Sequence, residues 1–234
     1  MTSEHTILEH LAEARSRILA VAAWFLLSFT GSLFGASSLY RFVTSSFPQK
    51  LVVLGPDDIL WIYVQLASLM ALALTVPFAV YHIWTYVRPA LTTEEAGVIL
   101  FYVPATFFCF VGGLAVGFFL ISPALLQVLL GMGEGLFAIQ LTAKQYLAFV
   151  LHTCLPVACI FELPVVVVFL THLNILRPHI LVHYRRYAYF ILLVLAVCLT
   201  PADLVSDLLM TVPLFVLYEV SIGLSWWIWK KKEK

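Results

Sequence analysis

Six continuous apolar runs dominate this sequence and limit what it can fold into. The runs cover about 18–34, 60–83, 98–121, 146–170, 187–199 and 208–229. A helix needs about 20 apolar residues to cross the hydrocarbon of a bilayer, whereas the strands of a membrane β-barrel are alternating segments of about ten residues. The runs therefore predict an all-α membrane protein with six transmembrane helices, forming one polytopic domain over residues 1–234. Because the fifth run is short, we expect a short final helical hairpin.

The composition supports a membrane location. Hydrophobic residue types make up 62% of the 234 residues and charged types 11%, against about one half and one quarter in soluble domains. Such a chain cannot cover itself with a water-facing surface, so the bilayer must be its solvent. The four cysteines all fall inside apolar runs, where they behave as small hydrophobes, and they predict neither a disulfide nor a metal framework.

The placement of the basic residues predicts the orientation of the spans. If both ends of the chain lie on one side, ten of the 13 Lys and Arg residues lie on that side, and only Arg41, Lys50 and Lys144 lie on the other. Cytoplasmic segments have such an excess of basic residues. The pattern therefore predicts that the N- and C-termini are both cytoplasmic.

Four glutamates form an acidic cluster on the predicted cytoplasmic face, whose other segments are basic: Glu9, Glu13, Glu94 and Glu95. Carboxylates bind a guanidinium through two parallel hydrogen bonds, so the cluster indicates a cationic partner. Structural alternatives stay open. The N-terminal tail can be an interfacial amphipathic helix capped at Thr6, and the last two glutamates can stabilise the first turn of a helix.

Two further glutamates fall inside apolar runs, Glu162 in the fourth and Glu219 nearer the inner end of the sixth. A charged side chain at the centre of a span costs at least about 2.5–3.5 kcal/mol on insertion scales, so each is a candidate functional group. The alternative is a protonated acid hydrogen-bonded to a neighbouring helix. Pro156 and Pro164 flank Glu162 and should kink or loosen its helix.

No pattern in the sequence predicts catalysis. There is no Gly-rich phosphate loop, nucleophile elbow or paired metal-ligand motif. His172, His179 and His183 lack an evident carboxylate or cysteine co-ligand, so we predict no metal site. We also expect no enzyme activity, no cofactor and no nucleic-acid partner.

Several short motifs, in order along the chain, resemble those of the TatC family, the core subunits of the twin-arginine protein translocase. Residues 10–17 are similar to its H-L-x-E-L-R-x-R opening, residues 89–95 to its P-A-L-x-x-x-E loop, and residues 161–164 to its F-E-x-P element in the fourth span. Residues 185–187, 200–206 and 217–219 resemble its R-R/K-Y, T-P-x-D…S and L-Y-E ending.

The resemblance implies a function in protein export. It implies that twin-arginine signal peptides of folded cargo bind at Glu9, Glu13, Arg15, Tyr86, Pro89, Leu91, Glu94 and Glu95. It also implies that small single-span Tat subunits are recruited and that the proton-motive force drives transport. The expected location is a bacterial-type cytoplasmic (inner) membrane, with several copies of the chain in a larger complex.

The last hairpin is the expected contact for the small partner subunits. Polar groups at the outer end of the sixth span are costly unless they are paired, and the predicted contact set is Thr200, Asp203, Val205, Asp207 and Met210. Ordinary capping of the sixth helix is the structural alternative.

Other functions also stay open. The main one is a proton-coupled secondary transporter that uses Glu162, although no internal repeat supports it. The remaining candidates are an intramembrane enzyme and a structural scaffold.

Overall fold

The computed structural model describes residues 2–45, 51–87, 93–133, 140–199 and 204–232. These ranges are almost wholly helical and contain no β-strand, which confirms the all-α prediction. The helices are α1 (Thr2–Ser45), α2 (Pro56–Val87), α3 (Thr93–Val116), α4 (Ser122–Gly133), α5 (Ala143–Ile160), α6 (Leu163–His172), α7 (Pro178–His183), α8 (Arg185–Leu199) and α9 (Leu204–Lys232).

Five helical segments of the described chain are long and apolar enough to cross a membrane. They are Ala12–Ser45, Pro56–Ile83, Tyr102–Gly133, Ala143–His172 and Leu204–Lys232. The fifth predicted run corresponds to α8, which has only 15 residues. The number of spans, their bounds within the bilayer and their orientation stay predictions.

Helix α1 begins at Thr2, so the predicted helix start at Thr6 is wrong. Neither glycine nor proline occurs before Gly31, and nothing in the tail therefore interrupts a helix that runs into the first apolar run. The tail and the first run form one continuous helix of 44 residues.

The third helical segment changes its hydrogen bonding near its middle. A π-helical turn, Gly117–Ile121, joins α3 to α4, and the Ser122 N–H donates to the Gly117 carbonyl five residues back. Pro123 follows directly and has no N–H to donate. The helix then continues to Gly133, well past the predicted end of this run.

The fourth helical segment is interrupted where the prolines predict it. Helix α5 ends at Ile160 and α6 begins at Leu163, with Pro164 in its first turn. Pro164 cannot donate to the Ile160 carbonyl. The Glu162 N–H donates to the Cys159 carbonyl, three residues back, at 3.2 Å, so the chain makes a tighter turn here than an α-helix does.

The chain divides into two compact units. Unit 1 contains Met1–Lys50 and Leu60–Phe107, and unit 2 contains Leu51–Ile59 and Phe108–Lys234. In unit 1 the Trp24 ring stacks on Phe78 with centroids 5.0 Å apart, and its indole N–H donates to the Leu74 carbonyl at 3.4 Å. These contacts pack α1 against α2.

Unit 2 is built around α9. Its core includes Val157 of α5, Leu192 of α8, and Met210 and Leu214 of α9. A buried hydrogen bond of 2.7 Å joins the hydroxyls of Thr171 and Ser225, linking α6 to α9. Because polar groups in an apolar medium need internal partners, such bonds fix the register between helices.

Candidate functional site

The structure describes part of the predicted signal-peptide site. Pro89 and Leu91 lie outside the described residues. The backbone of Glu9 is in α1, and the backbones of Glu94 and Glu95 are in the first turn of α3. That position suits the capping role that the sequence left open for the last two.

Glu13 is the acidic residue of this set whose side chain is described, and it pairs with Arg17 one helical turn later. The Arg17 Nη2 and Nε both donate to Glu13 Oε1, at 2.6 and 3.1 Å. The Glu13 side chain is 37% exposed and that of Arg17 22%. Among the described residues no group donates to Glu13 Oε2, so one carboxylate oxygen remains available to a cation.

Arg17 also reaches α2, where Nη1 donates weakly to the His82 carbonyl at 3.4 Å. Tyr86 lies one turn further along α2 and is partly exposed, and Arg15 on α1 is exposed. Unit 1 therefore brings Glu13 and Tyr86 to the same end of the α1–α2 pair. The sequence reasoning missed Arg17, although its spacing from Glu13 is that of helical ion pairs.

Glu162 occupies the turn between α5 and α6 in unit 2. Both of its carboxylate oxygens are buried, and neither accepts a hydrogen bond within the described part of the chain. A buried polar group without a partner is costly. The hydrogen-bonded alternative proposed from the sequence is therefore absent from the described residues.

Glu219 differs from Glu162 in having two donors. Arg185 Nη2 donates to Glu219 Oε2 at 2.8 Å, and the Tyr189 hydroxyl donates to Glu219 Oε1. The Tyr189 ring stacks on Phe215 with centroids 4.5 Å apart. Arg185 and Tyr189 belong to α8 and Glu219 to α9, so this network joins the first two turns of α8 to α9.

The predicted partner-subunit residues fall into three groups. Thr200 and Asp203 lie outside the described residues. Val205 is 57% exposed and Asp207 is partly exposed, both in the first turn of α9. Met210 is fully buried in the core of unit 2, so its side chain packs inside this chain.

An ion pair that the sequence did not suggest joins the first turn of α2 to the first turn of α5 in unit 2. Lys144 Nζ donates to Asp58 at 2.9 Å and lies 3.8 Å from Asp57. The Ala143 N–H donates to the Val52 carbonyl at 2.9 Å. The two segments are far apart in the chain, and no local pattern could have predicted the pairing.

Within the described residues no three His, Cys, Asp or Glu side chains are grouped so that they could hold a metal ion. His179 packs edge-on against Trp226, with ring centroids 4.7 Å apart. His179 therefore has a structural contact of its own.

The family model described as "Sec-independent protein translocase protein (TatC)" matches residues 9–213. The chain belongs to the TatC family. Among relatives, TatCd of Bacillus subtilis (strain 168) is 40% identical over 98% of this chain and 95% of its own length. TatC of Halalkalibacterium halodurans is 35% identical over 98% of this chain and 92% of its own length.

Two crystal structures of the twin-arginine translocase receptor TatC have the same fold. One is 26% identical with a TM-score of 0.78, and covers 92% of this chain and 97% of the other. The second, in DDM, is 27% identical with a TM-score of 0.81, and covers 92% of this chain and 99% of the other.

Membership of the TatC family establishes the general role of the chain. It is a component of a protein translocase, a non-enzymatic membrane transport subunit that works with other Tat subunits. With its apolar helices it is a multi-pass membrane protein. The suspected family is thus confirmed, and the secondary-transporter alternative has no support.

Proposed function

We propose that this TatC-family chain binds the twin-arginine signal peptides of folded proteins at its cytoplasmic face, and that the proton-motive force drives their export. The proposal rests mainly on the Glu13 carboxylate, which has one oxygen available to a guanidinium. Glu95, Glu94 and Glu9 are the further acidic groups assigned to this site, and Tyr86 packs against the bound arginine pair.

The proposed topology has six spans with both termini in the cytoplasm of a bacterial-type cell. At 1.5 Å per residue, the 15 residues of α8 cover only about 22 Å of a hydrocarbon layer of roughly 30 Å. We therefore propose that the bilayer is thinned beside α8 and α9. Helix α9 ends on Lys230, Lys231 and Lys232, which supports a cytoplasmic C-terminus.

The outer end of α9 is the proposed contact for a small single-span Tat subunit. Val205, Leu208 and Val212 are each more than half exposed, at helical spacing on α9. Asp207 lies beside them and can pair with a polar group of the partner. Because Met210 is buried in this chain, it would support the surface from within and would not contact the partner itself. Assembly of several copies into a larger complex belongs to the same proposal.

The test is the affinity of a twin-arginine peptide for the purified chain. Removing one carboxylate from a charge-assisted pair should cost about 1.5–3 kcal/mol, or about tenfold to a hundredfold in Kd. We expect this loss for Glu13→Gln and Glu95→Gln. Asp57→Asn is the control, because it removes one negative charge from an exposed side chain in unit 2.

The control peptide has two lysines in place of the arginines. Two results would each reject the assigned site. One is equal affinity of the parent for the arginine and lysine peptides, and the other is equal affinity of the arginine peptide for the parent, Glu13→Gln and Glu95→Gln chains. Photocrosslinking of the peptide to positions scanned through the tail and the 88–95 loop would then show where it binds, if it binds at all.

A further inference from the structure

The end of unit 2 that contains the last turn of α9 is strongly basic. That turn holds the lysines at 230–232, and Arg177 directly precedes α7, which packs against α9. Residues 172–187 and 220–232 contain no Asp or Glu, and the two residues after them have opposite charges. These segments therefore have a net positive charge that they do not balance themselves.

One of the three lysines is used within the chain, and the other two are not. Lys232 Nζ donates to a backbone carbonyl at the end of α6 and, at 3.4 Å, to Asn174 Oδ1 in the loop that follows. Lys230, Lys231 and Arg177 are exposed. Among the described residues, none of these three forms an ion pair. Three cations at this end of unit 2 can therefore bind an external anion.

Two tryptophans lie beside the unpaired lysines. Lys230 Nζ is 6.0 Å from the ring centroid of Trp226, and Lys231 Nζ is 5.6 Å from that of Trp227. At these distances an ammonium group is attracted by the face of the indole. Trp226 also contacts the His179 ring of α7, whereas Trp227 is 65% exposed. We call this surface the basic–aromatic patch, and it consists of Arg177, His179, Trp226, Trp227, Lys230 and Lys231.

Exposed apolar side chains accompany the patch in the segment between α6 and α8. Ile175 is 61% exposed, Ile180 41% and Val182 40%. Apolar groups beside cations are costly in water and favourable in the interfacial layer of a bilayer, where tryptophan is also enriched. At 1.5 Å per residue, the 29 residues of α9 extend about 44 Å, which is close to the roughly 40–45 Å thickness of a bilayer with its headgroups. An α9 that spans the bilayer therefore has its last turn among the headgroups of one leaflet.

We propose that the basic–aromatic patch binds the phosphate of an anionic phospholipid in the cytoplasmic leaflet. Arg177, Lys230 and Lys231 supply the donors, and the exposed indole packs against the glycerol and the upper part of the acyl chains. The inference rests on the proposed topology, which places this end of α9 at the cytoplasmic side. A phosphatidylcholine headgroup contains its own cation, which no carboxylate of the patch balances, so an anionic headgroup is favoured.

A soluble acidic partner fits this surface less well. It would pair with the cations, but it would also have to cover the exposed isoleucines, the valine and Trp227, which a bilayer surrounds without a dedicated contact. Basic clusters beside transmembrane helices on the cytoplasmic side are typical sites for lipid headgroups. A free phosphate ion would use the same donors but would gain nothing from the tryptophans.

The experiment is a lipid titration of the delipidated chain in a neutral detergent, with Kd measured by native mass spectrometry. Each cation near an anionic lipid contributes about fivefold to its affinity. Phosphatidylglycerol should therefore bind the parent about tenfold to a hundredfold more tightly than phosphatidylcholine with the same acyl chains. Lys230→Gln should weaken phosphatidylglycerol binding about fivefold, and Lys230→Gln/Lys231→Gln about 25-fold. Phosphatidylcholine binding should hardly change.

The matched control is Arg41→Gln, which removes one cation from an exposed position of α1 in unit 1 and should keep the lipid preference of the parent. Lys230→Arg/Lys231→Arg retains both charges and should also keep it. Because both lysines are exposed, their replacement should not lower the midpoint of thermal unfolding in lipid-free detergent. Inorganic phosphate, added at the concentration of the lipid, should not displace phosphatidylglycerol.

Three results would each overturn the inference. They are equal affinity of the parent for the two lipids, an equal loss of affinity in Arg41→Gln and Lys230→Gln, and displacement of phosphatidylglycerol by equimolar phosphate. The peptide affinities of Glu13→Gln and Glu95→Gln test the proposed function separately, since neither residue belongs to the patch. Labelling of Lys234→Cys from outside intact cells would reject the proposed topology, and with it the cytoplasmic leaflet, even if the lipid preference in detergent remained. The failures are therefore distinguishable.

Discussion

A single methyl group added at Gly113 should loosen the packing of unit 2, whereas the same group at Gly112 should not. A Cβ at Gly113 would lie 2.6 Å from Ala158 Cα and 2.8 Å from Phe161 Cβ. A Cβ at Gly112 would have nothing within 4 Å. The two glycines are neighbours in α3, so Gly113→Ala and Gly112→Ala form a matched pair.

The expected magnitude follows from two terms. Replacing glycine by alanine inside a helix stabilises it by roughly 0.8–1 kcal/mol, and this gain is common to both variants. Overpacking costs about 1–3 kcal/mol and applies at Gly113 alone. Because the obstructing Ala158 atom is backbone, it cannot rotate away. The two variants should therefore differ by about 1–3 kcal/mol, with Gly113→Ala the less stable.

The assay is unfolding of both variants and the parent in the same detergent, which keeps the solvent contribution constant. The unfolding midpoint of Gly112→Ala should be equal to or above that of the parent. The unfolding midpoint of Gly113→Ala should be below that of Gly112→Ala. Equal midpoints for the two variants, or a more stable Gly113→Ala, would refute the claim that α3 and α5 are in backbone contact at this level.

Three other predictions concern charged or buried positions. Asp58→Asn should loosen the loop before α2 and speed its proteolysis, whereas Asp57→Asn should have little effect because its side chain is 74% exposed and 3.8 Å from the lysine. Glu162→Leu should raise thermal stability but lower export, whereas Glu162→Gln should retain export. Equal export by the two variants would show that the Glu162 carboxyl has no polar role in transport. Cysteine at Val205 should crosslink to a small Tat subunit, and cysteine at buried Met210 should not; the reverse pattern would reject the proposed surface.

The apolar runs and the prolines were enough to predict the helical framework. The break around Glu162 follows from Pro164, because a missing N–H is a local property of the sequence. The π-helical turn at Gly117 was not predicted. Gly117 also packs closely against another helix, where an added Cβ would lie 2.8 Å from Cys154 Cα. Contacts of this kind depend on which helices are neighbours, and apolar periodicity does not contain that information.

Some contacts at and around the candidate site could likewise be predicted from the sequence, and others could not. The Glu13–Arg17 pair could have been found from its spacing of four residues, which places both side chains on one helix face. The Lys144–Asp58 pair could not, because 86 residues separate its members. Likewise a cavity in unit 1 is lined by residues of two helices, among them Ala14 of α1 and Ala79 of α2, and neither alanine is unusual in a membrane span.

The two intramembrane glutamates looked alike in the sequence, and the structure separates them. Glu219 accepts from Arg185 and Tyr189, so its charge has a counter-ion and α8 gains an anchor at its first turns. Pairing lets a short helix that begins with arginine enter the membrane at lower cost. Glu162 has no donor among the described residues, and both of its oxygens are buried. An acid that stabilises packing should have partners, so we infer that Glu219 is structural and that Glu162 is the better candidate for a group used during transport.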